Sequence, residues 1–402
     1  MTAPPSPEFL LLAACCRWPR DPGAVAAAAQ AIDWQRFARL VRRHRVQGFA
    51  QASLRAASVA LPENAAKLLA SMAADQARTS LAYAADLGRI AQAFEAEGLA
   101  PTLFKGPMLA QRLYGDLAIK QTGDVDVLVA APDGWRAVAA AEKLGYRRIS
   151  YDGALSPVRR GTIQAVFNGI TMRHGDSGRL LDLHWRLTTN PYLFTPRESV
   201  REIDFRGRKV RTLADGDLAL YLASHGAKHN WARLKWLADF NAFLVTAPRE
   251  DVAAWRMRAK AEGMAASFEA ALALCSTLLG SQWQAPPAIG ARARWLIALS
   301  HNLMRGGGEI VEQVARPGQG VAQATLASFM QKRGLRYQAV NVWLASFKRD
   351  DAVLLALPAP LRPFYILIGP AMRLGRNLGR LARLALPGSA GRASAGTATR
   401  KQ

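Results

Sequence analysis

The sequence predicts an α+β chain, mainly α overall, in which a small mixed β-sheet core is flanked by N- and C-terminal helical regions. Three observations lead there. Alanine and leucine dominate the 402 residues, and β-branched residues are scarce outside the middle third. That third holds short apolar or alternating runs bounded by turn residues. On either side, apolar residues recur at helical spacing. A chain this long predicts two or three domains. The expected division is a helical region over 1–98, the sheet core over 99–215, a helical domain over 216–350, and a basic amphipathic, partly disordered tail over 351–402.

Over 33–49, Trp34, Phe37, Leu40, Val41 and Val46 mark an amphipathic helix whose basic group is Arg39, Arg42, Arg43 and Arg45. No Gly or Pro interrupts 64–86, so one or two long helices run from Asn64 to Glu97, and Gly98 is the stop. The expected strands are Thr102–Lys105, Val125–Val129, Arg147–Tyr151, Ala165–Arg173 and Arg179–Leu187. Met108, Leu109 and Leu113 form a helix after Pro107, a residue favoured at helix starts. A further helix is expected from Pro132 to Leu144, with Gly145 as its cap. Arg160 to Leu187 alternates like two antiparallel strands joined at His174–Gly178. One helix is expected over Leu218–Val245, capped by Asp215 or Asp217, with more helices to about residue 350.

The formal charge is +23, and no acidic residue follows Asp351. A basic excess of this size implies a phosphate partner, either nucleotide, nucleic acid or an anionic membrane surface, unless it reflects an arginine-rich compositional bias. Pro358, Pro360, Pro363, Pro370 and Arg362 argue against a membrane-spanning helix over 353–372. Arg373, Arg376, Arg380 and Arg383 share one face of a helix over 372–386. Such a helix either packs on the body with its basic face in water or lies on a membrane surface. From Pro387 the composition is that of a disordered segment. Three cysteines form no disulfide framework, and the run Phe9–Cys16 lacks the basic flank and length of a signal peptide. The cytoplasm is therefore the expected compartment, with a peripheral contact at the inner membrane surface as an extension of it.

The chemistry-bearing pattern is Lys105-Gly106 followed by Asp124-Val125-Asp126. Asp124 and Asp126 leave the same face of a strand. Two carboxylates that close repel each other, and a cation between them relieves the repulsion. Hard oxygen ligands suit Mg²⁺ or Mn²⁺. Gly106 and the helix start after it offer N–H groups to an anion. Asp182 and His184 share a face of the next strand candidate, where a carboxylate among leucines needs a partner. Asp182 completes a metal site, and His184 orients substrate, hydrogen-bonds Asp182 or is a satisfied core histidine. In the expected helix over 218–245, His225, Lys228, His229, Lys235, Trp236 and Asp239 fall on one face. Its lysines suit a triphosphate, although Lys235 and Asp239 also read as a plain i,i+4 pair. No Cys or Glu nearby completes a zinc site with the two histidines.

On these segments, and on Leu113-Tyr114-Gly115-Asp116, the chain resembles the uncharacterised nucleotidyltransferase family of the DNA polymerase β superfamily, over about residues 100–240. Toxin-type nucleotidyltransferases share the Lys-Gly unit, the Asp-x-Asp strand and a later Lys-x-x-x-Asp helix. The resemblance implies that Asp124, Asp126 and Asp182 hold metal and that Lys105, Gly106, Lys228 and Lys235, with His184, His225 and His229 beside them, bind the nucleotide. Asp239 then orients Lys235 or helps activate the acceptor. Two departures stand out. Pro107 replaces the serine common after the glycine and removes a hydroxyl and an N–H from the phosphate cradle. Lys120 is the nearest cation where the family commonly has an arginine before Asp-x-Asp, and it lacks the bidentate fork.

The implied activity is transfer of an NMP from an NTP to an unidentified acceptor, a glycan (in exopolysaccharide biosynthesis), a protein or a tRNA. The rivals are a toxin-like enzyme acting on tRNA or protein, a nucleotide-sugar glycosyltransferase, and a non-catalytic scaffold bound to membrane or nucleic acid. Glycosyltransferases place a βαβ nucleotide domain before their Asp-x-Asp, whereas here nearly everything before it reads as helix.

Overall fold

The computed structural model describes residues 4–197, 200–305 and 319–385. Its architecture is the expected one, helices around one mixed seven-stranded sheet, in the order β3-β4-β5-β2-β1-β7-β6. Two compact units divide the chain. One is Met1–Gly153 with Asn168–Gln338, and the other is Ala154–Phe167 with Ala339–Gln402.

In the first unit, helices α1 (Pro7–Cys15), α2 (Pro22–Ala28), α3 (Trp34–His44) and α4 (Gln47–Ala56) precede the long α5 (Glu63–Ala96). Each of the first three starts where a side-chain oxygen, from Ser6, Asp21 or Asp33, accepts a first-turn N–H. α3 ends at Arg45, which takes a left-handed backbone with φ +57. That conformation usually falls to glycine, and a side chain there costs about 1 kcal/mol.

The sheet contains β1 (Thr102–Leu103), β2 (Val125–Leu128), β3 (Tyr146–Arg148), β4 (Gly169–His174), β5 (Leu180–His184), β6 (Arg201–Phe205) and β7 (Arg208–Thr212). β2 runs antiparallel to β1 and parallel to β5, with Asp126 directly opposite Asp182. Helix α6 (Gly106–Tyr114) joins β1 to the loop before β2, and α7 (Gly134–Lys143) follows β2. β4 and β5 pair antiparallel across the expected turn at His174–Gly178. The fourth expected strand starts late, because Pro157–Val166 is helix α8. Ser156 caps it by accepting the Arg159 N–H, and Pro157 opens it. The β6–β7 hairpin was not among the expected strands. Arg206 and Gly207, with φ +56 and +80, close its two-residue turn.

The expected single helix over 218–245 is two, α9 (Asp215–Lys228) and α10 (Leu234–Val245). Asn230 and Trp231 take left-handed backbone at the break, with φ +52 and +47. The Trp231 ring folds back over Gly226 and is fully buried. This burial outweighs the cost of two strained residues. The one-face reading of 225–239 is thereby corrected, since its residues come from two helices. Asp215 and Asp217 do not cap α9 either. Its N-cap is Ala214, while Asp215 pairs with Arg112 and Arg201, and Asp217 with Arg258. A Cβ at Gly226 would collide with the Trp231 ring. Gly226→Ala is therefore expected to cost about 1–3 kcal/mol, read as a lowered thermal midpoint; an unchanged midpoint would show that the ring is free to move.

In the second unit, Thr162 Oγ1 of α8 donates to the Leu357 carbonyl, and the Arg349 guanidinium lies 5.3 Å over the Phe167 ring. A short helix at Arg349–Leu354 and a 3-10 turn at Ala359–Phe364 lead to a helix over Tyr365–Ala385. The side chains of Arg376, Arg380 and Arg383, and the segment from Pro387 expected to be disordered, lie outside what is described. Among the described residues no helix is long and apolar enough to cross a membrane.

Candidate active site on the central strands β1, β2 and β5

Lys105 leaves the end of β1 in extended backbone, and Gly106 turns the chain into α6 with φ +60. A Cβ on Gly106 would sit 3.3 Å from the Asp124 carbonyl, so the turn requires glycine on both counts. The Lys105 Nζ reaches Asp126 Oδ1 at 2.7 Å. His184, on the neighbouring strand, contacts the same oxygen through Nε2 at 3.1 Å. Its Nδ1 lies 3.0 Å from the Asn168 amide nitrogen. With that amide donating to Nδ1, the ring proton sits on Nε2 and points at Asp126.

Asp126, Asp182 and His184 each present a ligand atom within 4.8 Å of the others. Asp182 Oδ1 is buried and has no hydrogen-bond partner. Asp126 is held below the usual carboxylate range against its burial, by Lys105 first and then His184. Asp124 behaves oppositely. Burial, and then the charge of Asp126, push it up to about 6, and Asp182 adds to the rise. Asp124 precedes β2 and is not in this ligand group, acting on it through its charge. Asp126 and Asp182, with one buried unpartnered oxygen, suit a hard divalent cation, which would relieve both the repulsion and the missing bond.

Lys235, in the first turn of α10, is depressed to about 7 by burial and by the charges of Lys120 and Arg45, while Asp124 and Asp239 oppose the shift. Cations repelling one another beside a carboxylate cluster make a place for an anion. Arg45 completes this group. Its Nη1 lies 3.8 Å from where a Cβ on Gly123 would stand. Arg45, the residue that ends α3, thus brings a guanidinium beside the loop before Asp124. The sequence signal was only a basic run ending one helix. His44, next to it, accepts the Leu234 N–H at 3.0 Å, an N-terminal N–H of α10. That bond ties α3 to the helix carrying Lys235.

Lys120 is not free to replace the arginine, because it is buried against Asp239. Tyr114 Oη donates to the other oxygen of Asp239 at 3.1 Å. Asp239 therefore serves Lys120 and Tyr114, and it reaches Lys235 only through its field. Lys228 is exposed at the end of α9. His225 and His229 form a ladder with Tyr221 and Trp236. His225 stacks on Tyr221 at 5.5 Å and His229 on Trp236 at 4.7 Å. Burial first, and then neighbouring lysines, lower both rings, His229 to about 3, so both are neutral at physiological pH.

The loop before Asp124 is gripped from α5. Gln76 donates to the Ala118 carbonyl, Ser80 to that of Lys120, and Tyr83 to that of Gly123, at 2.6, 2.8 and 2.8 Å. These residues lie four and three apart on the core side of the helix, so one helix face sets the entry to β2.

This is the arrangement of a nucleotide-handling enzyme, with acidic residues on adjacent strands and a Lys-Gly turn opening a helix beside them. The chain belongs to the uncharacterised nucleotidyltransferase family, whose model matches residues 30–280. A solved structure of the antibiotic-resistance factor ANT(2'')-Ia is similar at 15% identity and a TM-score of 0.35, covering 45% of this chain and 93% of that one. No curated protein sequence matches the chain.

Proposed function

We propose that this nucleotidyltransferase moves an NMP from an NTP to an acceptor hydroxyl with Mg²⁺ or Mn²⁺ held by Asp124, Asp126 and Asp182. The observation that carries the reading is the buried, unpartnered Asp182 oxygen beside Asp126, in register across β2 and β5. When bound, a divalent cation would supply charge stabilisation for an in-line displacement at phosphorus. The acceptor oxygen bonds to the α-phosphorus, the bond to the bridging oxygen of the β-phosphate breaks, and pyrophosphate leaves. The acceptor proton passes to Asp182.

Burial opposes charge on Lys105, but Asp126 holds its pKa well above the ordinary lysine value, so it remains a cation for the phosphates. Lys235 gains its proton when a triphosphate arrives, because the anion offsets Lys120 and Arg45. His184 holds Asp126 in place through its Nε2–H. The half-buried rings of His229 and Trp236 offer a face for the base, and exposed Lys228 lies beyond them. Asp239, through Lys120, keeps α10 against the loop before β2. A glycan in exopolysaccharide synthesis is the acceptor to test first, then protein and tRNA.

The test incubates the protein with each α-labelled NTP, Mg²⁺ and these three acceptor fractions. Label is expected in one of them, with pyrophosphate released, and none with Asp126→Asn. Labelling that survives this substitution, or label transferred from a nucleotide sugar instead, would overturn the reading.

A further inference from the structure

The helix Tyr365–Ala385 turns its apolar stripe away from the unit it belongs to. Its inner seam is Tyr365, 1% exposed, and Gly369, where a Cβ would run into Phe347, with Ile368 and Met372 half-buried beside them. The opposite side carries Leu367 and Leu374, 68% and 61% exposed, with exposed Ala371 between them, and Phe364, the last residue of the preceding 3-10 turn, is 51% exposed. The spacing of 4 and 3 residues from Leu367 through Ala371 to Leu374 makes one continuous face. Leu361 and Ile366, 45% and 42% exposed, widen it. Of the two expectations for this segment, a helix packed on the body would bury this stripe and leave a basic face in water. Among the described residues the stripe is exposed, and so is Arg373.

An outward face holding one Phe and several Leu or Ile side chains requires a partner. The charge of the same stretch of sequence selects one. After Asp351 the chain has Arg362, Arg373, Arg376, Arg380, Arg383, Arg392, Arg400 and Lys401 and no acidic residue. We infer that this helix docks the protein on an anionic lipid surface, with its leucines among the acyl chains and its arginines at the headgroup phosphates. A nucleic acid would satisfy the arginines but leave Phe364, Leu367 and Leu374 in water. A second copy would cover the leucines but bring two uniformly basic segments together. The membrane takes both components at once.

The test is co-sedimentation of the full chain with phosphatidylcholine vesicles, with and without phosphatidylglycerol. The wild type is expected to pellet with the phosphatidylglycerol vesicles and to be released by high salt. Leu367→Glu/Leu374→Glu, at positions exposed enough to leave folding intact, is expected to lower the partition coefficient at least about tenfold, with an unchanged thermal midpoint. A wild type that stays in the supernatant, or a double variant that binds as well, overturns the inference. So does RNA binding that survives the double variant without any vesicle binding, or a dimer that this variant dissolves while vesicles are ignored.

Discussion

Asp124→Asn is expected to abolish nucleotidyl transfer while leaving the metal-free protein at least as stable as the wild type. Most substitutions of a half-buried charged residue destabilise, so the sign is diagnostic. Asp124 ionises near pH 6 in the fold against an ordinary 3.8, because it is buried beside Asp126 and Asp182. Between those values the unfolded chain gives up the proton and the folded chain keeps it. The stability due to the neutral carboxyl is therefore complete below pH 4 and is lost as pH rises to about 6. The loss is at most about 3 kcal/mol. An amide never ionises, so the variant lacks this slope. Mg²⁺ should raise the thermal midpoint of the wild type at neutral pH and leave that of the variant nearly unchanged. Turnover should fall by about 10²–10³-fold or more. A variant that melts earlier than the wild type without metal, yet still gains stability from Mg²⁺, would remove Asp124 from the metal site.

The grouping of these candidate residues could be read in the sequence because it is local. Lys105, Gly106 and the alternation through Asp124 and Asp126 lie within one strand–helix–strand unit, and Asp182 stood out as a carboxylate among leucines. Periodicity of two is enough to put such residues on one face. What escaped depends on contacts between distant segments. Lys235 feels the charge of Asp124 because α9 and α10 separate at Asn230 and Trp231, and no Gly or Pro marks that break. The stability of the corner comes from a Trp ring seated on Gly226, a contact that helical spacing does not reveal. Arg45 and the Gln76–Ser80–Tyr83 stripe come from helices that read as scaffold, yet they complete the cation group and set the strand entry. The β6–β7 hairpin was missed because its turn pairs Arg with Gly rather than Asn or Asp with Gly.

The ion pair between Lys120 and Asp239 gives the sharpest test of which residues act on substrate and which hold them. Both side chains are almost fully buried, at 8% and 4% exposure. In such a pair each charge depends on the other, and removing one leaves the other without compensation. Asp239→Asn keeps the shape and still accepts the Tyr114 hydroxyl, but it strands the Lys120 ammonium. The expected cost is about 3–5 kcal/mol. Adding Lys120→Met removes the stranded charge and fills its volume with apolar atoms, so the double variant should regain most of that loss. If Asp239 only braces α10, transfer should return with stability in the double variant, because Lys235, Arg45 and the three carboxylates are all still present. If Asp239 acts on the acceptor, the double variant should be stable and inactive. A single Asp239→Asn variant that melts like the wild type would show instead that the pair carries little stability, which would leave a direct role for Asp239 as the better account.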